Sequence, residues 1–349
     1  MEGSSRARVA VVGAGIYGST TALRLAERGH RVDLFDPRGI LRATSATNQY
    51  RVHAGYHYPR SPETIEEILD ARAEFSEAFD EAIVRSSTNY YAIPHEGSLT
   101  SPDEFERVMD KYDLPLTRRR PNWMDFDFID RCYEVAEEVY DPDVLREVVA
   151  DRLARSGVSV RRESYVSPMR DDYDFVVFAT YGLGESRTVF AIARYQVAEK
   201  VLIELPPHLR GIALVVVDGP FTAFDPFGTS GRSLFGSALH TNHWTSTDPW
   251  EVVPPALQEL VEADEFAETP LTRFAEMRSA AARAVPEAAR ARYLGSRFAL
   301  RVVEDSPADD RRVLHVREGN PRELHIFSGK VVSAVKAART VADLIDARG

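Results

Sequence analysis

A glycine-punctuated stretch between Arg8 and Asp36 constrains this chain more than any other feature. Val9, Ala10, Val11 and Val12 are small, apolar and mostly β-branched, which predicts a short buried strand. Gly13-Ala14-Gly15-Ile16-Tyr17-Gly18 follows, a complete G-x-G-x-x-G. Ser19 to Arg28 then reads as a helix with Ala22, Leu23, Leu25 and Ala26 on its apolar side. Gly29 ends the helix, and Arg31 to Phe35 predicts a second strand closing on Asp36. Each part has a mechanical role. Gly13 permits the tight turn out of the strand, Gly15 lets backbone approach a pyrophosphate, and Gly18 lets helix and strand pack together. The helix N-terminus, with Ile16 and Tyr17 in its first turn, attracts phosphate charge. Asp36 falls 18 residues after Gly18, where a carboxylate can accept from both hydroxyls of an adenosine ribose. Pro37 and Arg38, directly after it, join the expected cofactor contacts. The pattern predicts a site for the ADP half of a dinucleotide. Asp36 would repel a 2′-phosphate, which disfavours NADP and leaves NAD and FAD.

A nicotinamide dehydrogenase would continue with alternating strands and helices, and here that pattern stops. Residues 43–60 are rich in hydroxyls, amides, imidazoles and phenols, poor material for a core and suited to lining a site. Related pieces return much later. Asp143 to Ser156 has helical period, Gly157 caps it and Val158 to Arg161 predicts a strand. Tyr173 to Ala179 predicts an apolar strand ending in Thr180-Tyr181-Gly182. At the far end, Leu324 to Phe327 is a predicted strand, Ser328-Gly329-Lys330 a turn and Val331 to Ile345 an amphipathic helix.

Together these pieces resemble the D-amino-acid oxidase superfamily of FAD-dependent oxidoreductases, which includes glycine oxidase, sarcosine oxidase and L-2-hydroxyglutarate dehydrogenase. The likeness covers nearly the whole chain and is most specific in its N-terminal third. It implies FAD as cofactor, with Gly13, Gly15, Gly18 and Asp36 on the ADP moiety. Ser45, Thr47 and Asn48 would lie along the pyrophosphate, ribityl chain or flavin ring, Thr180 and Gly182 would line the cofactor, and Gly329 and Lys330 would approach the flavin pyrimidine. Two departures loosen any subfamily assignment: the final glycine-rich stretch is reduced to Ser328-Gly329-Lys330, and Asp36 stands where relatives usually carry Glu.

With 349 residues the chain exceeds what one compact core usually holds, which predicts two lobes. The expected class is α/β, a Rossmann-like FAD-binding domain with a second α+β substrate domain on a mostly antiparallel sheet. Residues 1–60, 139–187 and 296–349 would form the first, and 61–138 and 188–295 the second. Strands are expected at Ala193 to Leu205, Ile212 to Val217, Phe221 to Phe224 and Ser233 to Leu239, and helices at Glu251 to Glu268 and Thr272 to Val285. A net charge of −11 without a clustered basic face argues against a nucleic-acid partner. The single cysteine, Cys132, cannot form an internal disulfide. With no apolar run long enough to span a bilayer and no secretory signal, a cytoplasmic enzyme acting on a small molecule is expected.

The resemblance implies transfer of a hydride to flavin N5 from a C–H beside an amine or hydroxyl. Such chemistry needs an anion-binding group and a proton acceptor. Arg51, Arg60 and Arg301 are candidates for the anion, because guanidinium grips carboxylate bidentately. His53 and His57 are candidates for the proton, and either could instead contact or tether the flavin. Tyr56 and Tyr58 alternate with His57 and predict a phenol-bearing face toward the substrate. His240 and His243 lie three apart near Trp244; His240 is a candidate substrate contact. No carboxylate or thiol sits at useful spacing from that pair, so no metal site is expected. Lys330, one of only four lysines, is a candidate to stabilise anionic reduced flavin. The rival readings are a non-redox, FAD-dependent isomerase of a sugar nucleotide, an NAD dehydrogenase and a non-catalytic dinucleotide binder.

Overall fold

The computed structural model describes residues 6–190, 193–306 and 308–348. The predicted strand at the N-terminus forms over Arg8–Val12, with Val9, Ala10 and Val11 fully buried. It lies near the centre of a six-stranded sheet whose order is His315–Asn320, Glu323–Phe327, Phe175–Phe178, Arg8–Val12, Arg31–Phe35 and Ser159–Arg161. Pairing is parallel throughout except for the hairpin His315–Asn320/Glu323–Phe327. The register sets Val11 beside both Leu34 and Val177. Continuous apolar strands of this kind need cover on both faces. The helices Ile16–Glu27 and Ala334–Asp346 pack together over one face and bury Ala22, Leu25, Ala338 and Val341. Phe35, Tyr173 and Phe178 form a small aromatic core on the other.

The second sheet has nine strands, mostly antiparallel. Its spine is Ala193–Glu204, paired along its whole length with Arg292–Glu304. On the opposite edge of the spine, Asn242–Ser246 and Ser233–Ser237 pair in succession. The sheet continues through Thr222–Pro226, Ile212–Val216, Thr88–Pro94, Ile129–Val135 and Leu116–Arg119, with one parallel pair, Ile212–Val216 on Thr88–Pro94. Alternation divides the spine. Val201 and Ile203 pack on Met277, Ala281 and Ala284 of the helix Phe274–Ala284, while Arg194, Gln196, Ala198 and Lys200 turn to a cavity. A third, three-stranded sheet joins Arg51–Val52, Glu138–Tyr140 and Ile83–Val84.

Several boundaries differ from the sequence expectations. The helix expected over Glu251 to Glu268 forms only over Pro255–Glu262, because Pro254 and Pro255 stop it upstream and Ala263 turns extended. The C-terminal helix begins as a 3-10 turn, Val331–Ser333, before the α-helix. Residues 296–304, grouped by sequence with the nucleotide lobe, run instead as a strand of the larger sheet. Their partners lie about a hundred residues away, beyond any local signal.

Candidate active site

The two main sheets face one another across a cavity of about 800 Å³. At one end lies the glycine turn. Gly13 has φ +100°, and a Cβ there would fall 2.6 Å from the carbonyl oxygen of Ala179 on the neighbouring strand. A Cβ at Gly18 would overlap the carbonyl oxygen of Gly13, so strand and helix meet only because residue 18 has no side chain. Gly15 is the N-cap of Ile16–Glu27 and offers no side chain to the first turn, which also lacks an acidic residue. Ser45 Oγ accepts from Ile16 N at 3.0 Å. Gly13, Gly15, Ile16, Tyr17, Asp36 and Pro37 all line the cavity. A side-chain-free turn at the positive end of a 12-residue helix suits a dinucleotide pyrophosphate, and FAD fits it. Asp36 also braces its own loop: its carboxylate accepts from Ala14 N at 2.8 Å, Arg38 N at 2.8 Å and Gly39 N at 3.1 Å. The Arg38 side chain points elsewhere, to Asp264 at 2.9 Å and the carbonyl of Val261 at 3.1 Å.

Ser45, Thr47 and Asn48 form one wall. Asn48 is held by Tyr50 N at 2.7 Å and Tyr140 OH at 3.0 Å, both donating to its side-chain oxygen. Beyond it the strand Arg51–Val52 carries a wholly buried guanidinium. Arg51 donates through Nε to Asp225 at 2.5 Å and through Nη1 to Glu137 at 3.1 Å, while Nη2 has no partner. Glu137 also accepts from Tyr91 OH at 3.0 Å and Ala54 N at 3.1 Å, and lies 3.4 Å from His53 Nδ1. Burial, then Lys330, pushes His53 down to about 4 against the pull of Glu137. His57, with its ring centre 5.3 Å from that of His53, is held well below the ordinary histidine range, first by burial and then by His53. Both rings are neutral at pH 7.

Lys330 closes this corner, its Nζ 4.2 Å from the centre of the Tyr58 ring. Its carbonyl accepts from Tyr17 OH, tying the last turn to the first helix. Burial, then Arg51, pushes the Lys330 ammonium down to about 7. His53, His57, Tyr58, Arg60, Thr180, Gly329 and Arg301 also line the cavity. Arg60, however, is engaged by Asp218, with Nη2 3.2 Å from Oδ1. Burial lowers the Arg301 pKa, helped by Arg312, and its Nε is buried without a partner.

Five expected contacts lie off the cavity: Gly18, which packs helix on strand, Arg38, whose side chain is held by Asp264, and Tyr56, Gly182 and His240. Tyr56 is fully buried and donates to the carbonyl of Pro115 at 3.0 Å, because the turn from Gly55 to Tyr58 breaks the alternation that would have aimed it inward. Gly182 packs against Val302 and Phe327. The strand expected through Leu239 ends at Ser237, and the turn Ser237–Thr241 carries His240 outward while Thr241 and Asn242 reach the cavity. His243 pairs instead with buried Glu199 at 2.8 Å, on the opposite face of the spine. Among the described residues no cluster of His, Cys, Asp or Glu could hold a metal. Nor is any helix among the described residues long and apolar enough to cross a membrane.

The sequence reading passed over Gln196, Lys200, Glu137 and Asp225. Gln196 and Lys200 carried a usable signal, polar residues at even positions of a predicted strand. Glu137 and Asp225 carried none, since only tertiary pairing sets them around Arg51.

A family model described as FAD dependent oxidoreductase, DAO, matches residues 8–347. The FAD-dependent monooxygenase FPY4 of Fusarium mangiferae is 26% identical over 346 residues, covering 96% of this chain and 90% of that protein. The FAD-dependent monooxygenase kojA of Aspergillus flavus is 31% identical over 172 residues, 48% of this chain and 40% of that one. Among solved structures, glycine oxidase from Geobacillus kaustophilus superposes with a TM-score of 0.73 at 16% identity, covering 98% of this chain and 95% of that chain. L-proline dehydrogenase from P. horikoshii does so at 0.67 and 14%, covering 97% and 93%. These structural likenesses share the parallel sheet and the mostly antiparallel sheet described above.

Proposed function

This chain belongs to the DAO family of FAD-dependent oxidoreductases, and we propose that it oxidises a C–H bond beside an amine or hydroxyl of a small polar acid. The observation that carries this reading is the continuity of the cavity. It runs from the Gly13–Gly15 turn past Lys330 and His53 to Arg301, so one continuous space joins the cofactor cradle to a guanidinium with no carboxylate in direct contact among the described residues. The chemistry supplied by bound FAD is acceptance of a hydride from the substrate carbon.

The chain's own residues do the rest. Arg301 binds the substrate carboxylate, which restores a partner to its buried guanidinium. Neutral His53 accepts the N–H or O–H proton as the C=N or C=O bond forms, and Glu137 behind it stabilises the imidazolium. Lys330 lends positive charge where negative charge accumulates. Gly13, Gly15, Ser45 and Asp36 hold the ADP half, and Thr47, Asn48, Thr180 and Gly329 lie along the remainder of the cofactor. The substrate-facing sheet excludes water with Ala198, Ala299 and Val215.

The test is anaerobic mixing of the purified yellow protein with a panel of amino acids, N-methyl amino acids and 2-hydroxy acids. Bleaching of the flavin by at least one compound, without any other reductant, is the expected result. A second reading has one specific support, the fungal relatives named FAD-dependent monooxygenases. An enzyme of that kind would stay yellow with substrate alone and would consume oxygen only with an added reductant, so the same experiment separates the two.

A further inference from the structure

The roof of the cavity is built from alternating positions of paired strands. Arg194, Gln196, Ala198 and Lys200 face inward from Ala193–Glu204, and Ala299, Arg301 and Val303 face inward from Arg292–Glu304. Arg301 pairs in register with Gln196. Lys200 is four residues further along, so the two cations leave the sheet about 13 Å apart. Between them the roof is shallow, because Ala198 is paired with Ala299 and both present only a methyl group. Glycine at 236 extends that shallow floor: a Cβ there would lie 2.8 Å from Lys200 Nζ, so the ammonium rests in the space left by the missing side chain. Ala223, paired with Gly236, continues it.

The carboxylates nearest this wall are turned toward Arg51. Asp225 and Glu137 are both bonded to Arg51. Among the described residues Lys200 has no carboxylate within 4 Å, and Arg301 has none either. Burial pushes Lys200 down to about 8 against the pull of Asp225, with Arg301 adding to the downward shift. Neither cation is in direct contact with a carboxylate, so each has hydrogen-bond donors free for an arriving anion. The pyrophosphate does not supply it, since its cradle belongs to the six-stranded sheet. Gln196 Oε1, buried without a partner beside Arg301, offers an acceptor to an N–H or O–H.

We propose that Lys200 is a second anion-binding point opposite Arg301, so that the preferred substrate is a small dicarboxylic amino or hydroxy acid. Each carboxylate meets one cation, the connecting carbons lie over Ala198, Ala299 and Gly236, and the amine or hydroxyl faces Gln196. This rests on the oxidation of a small polar acid inferred above.

Isothermal titration calorimetry of the FAD-loaded protein tests it with unreactive ligands: malonate, succinate and glutarate against propionate, butyrate and pentanoate. At least one dicarboxylate should bind tenfold or more tightly than the monocarboxylate of equal length, about the effect of one charge-assisted hydrogen bond. Lys200→Gln should erase that advantage, and Gly236→Ala should reduce it by crowding the ammonium. Equal affinity for the two ligand series in the unaltered protein overturns the proposal, as does an advantage that survives in Lys200→Gln. The anaerobic bleaching experiment reports separately. Bleaching by monocarboxylic acids with no dicarboxylate preference removes only the Lys200 assignment, whereas dicarboxylate binding with no bleaching by any acid removes the oxidation reading.

Discussion

Arg51 Nε lies 2.5 Å from Asp225 Oδ1, and neither side chain reaches solvent. The arginine comes from the three-stranded sheet and the aspartate from the nine-stranded one, so the pair fastens two parts of the chain 174 residues apart. Removing one member of a buried pair leaves the other charge without compensation. Arg51→Met strands both Asp225 and Glu137, and it should destabilise the protein by about 3–5 kcal/mol. Urea unfolding checks this. A loss below about 1 kcal/mol would mean that water reaches the carboxylates.

Gly18→Ala should cost the protein its cofactor. The added methyl overlaps the carbonyl oxygen of Gly13 and pushes the helix Ile16–Glu27 off its strand. Gly15→Ala, whose Cβ would meet only the Ser45 hydroxyl at 3.1 Å, should be milder. The ratio of flavin to protein absorbance after purification reads both. Equal flavin content in the two variants would contradict the packing account.

Lys330 in the fold gives up its proton near pH 7, against 10.5 for an unhindered lysine. Between those values the unfolded chain binds more protons than the folded one, so stability contributed by this site rises with pH. Below pH 7 the full cost of burying the ammonium is present. Lys330→Met should therefore stabilise the FAD-free protein by about 1–4 kcal/mol below pH 7, with the gain fading toward pH 10.5. In the FAD-loaded protein the same variant should lower the flavin midpoint potential. Thermal melts across pH and a redox titration measure the two effects, and a pH-independent gain would refute the buried-cation account.

His53, at about 4, is unprotonated through the neutral range. A base must be unprotonated to act, so flavin reduction by substrate should show no acid limb from this residue above about pH 5. His53→Gln should slow that reduction by about 100-fold or more. Stopped-flow measurement of anaerobic reduction from pH 5 to 8 tests both statements. A rate unchanged in His53→Gln would transfer the role to His57 or to solvent.

The cofactor end of the site was legible because its determinants are local. Strand, turn glycines, helix and closing acid fall within residues 8–36, where spacing alone sets the geometry. The substrate end was only partly legible. Arg301 could be nominated from its strand, but its neighbour Gln196 lies 105 residues earlier and becomes its partner only through pairing of the spine. Tyr56 shows how a short turn defeats periodicity. The bend from Gly55 to Tyr58 rotates the phenol into the core beside Pro115 while leaving His57 and Tyr58 on the cavity. Lys200 stays unassigned in the sequence, since nothing nearby announces that position 236 leaves room for its ammonium.

The amino-acid sequence by itself determined the dinucleotide turn and the apolar strands of the parallel sheet, and its likeness to the family brought FAD with them. Those features depend on backbone conformation and period over a few dozen residues. Tertiary structure alone decided which charges are matched. Arg51 is bonded by both Glu137 and Asp225, while Arg301 and Lys200 face the same cavity with no carboxylate in direct contact among the described residues. Electrostatic balance in a water-poor interior depends on distances of a few ångströms between residues that are far apart along the chain.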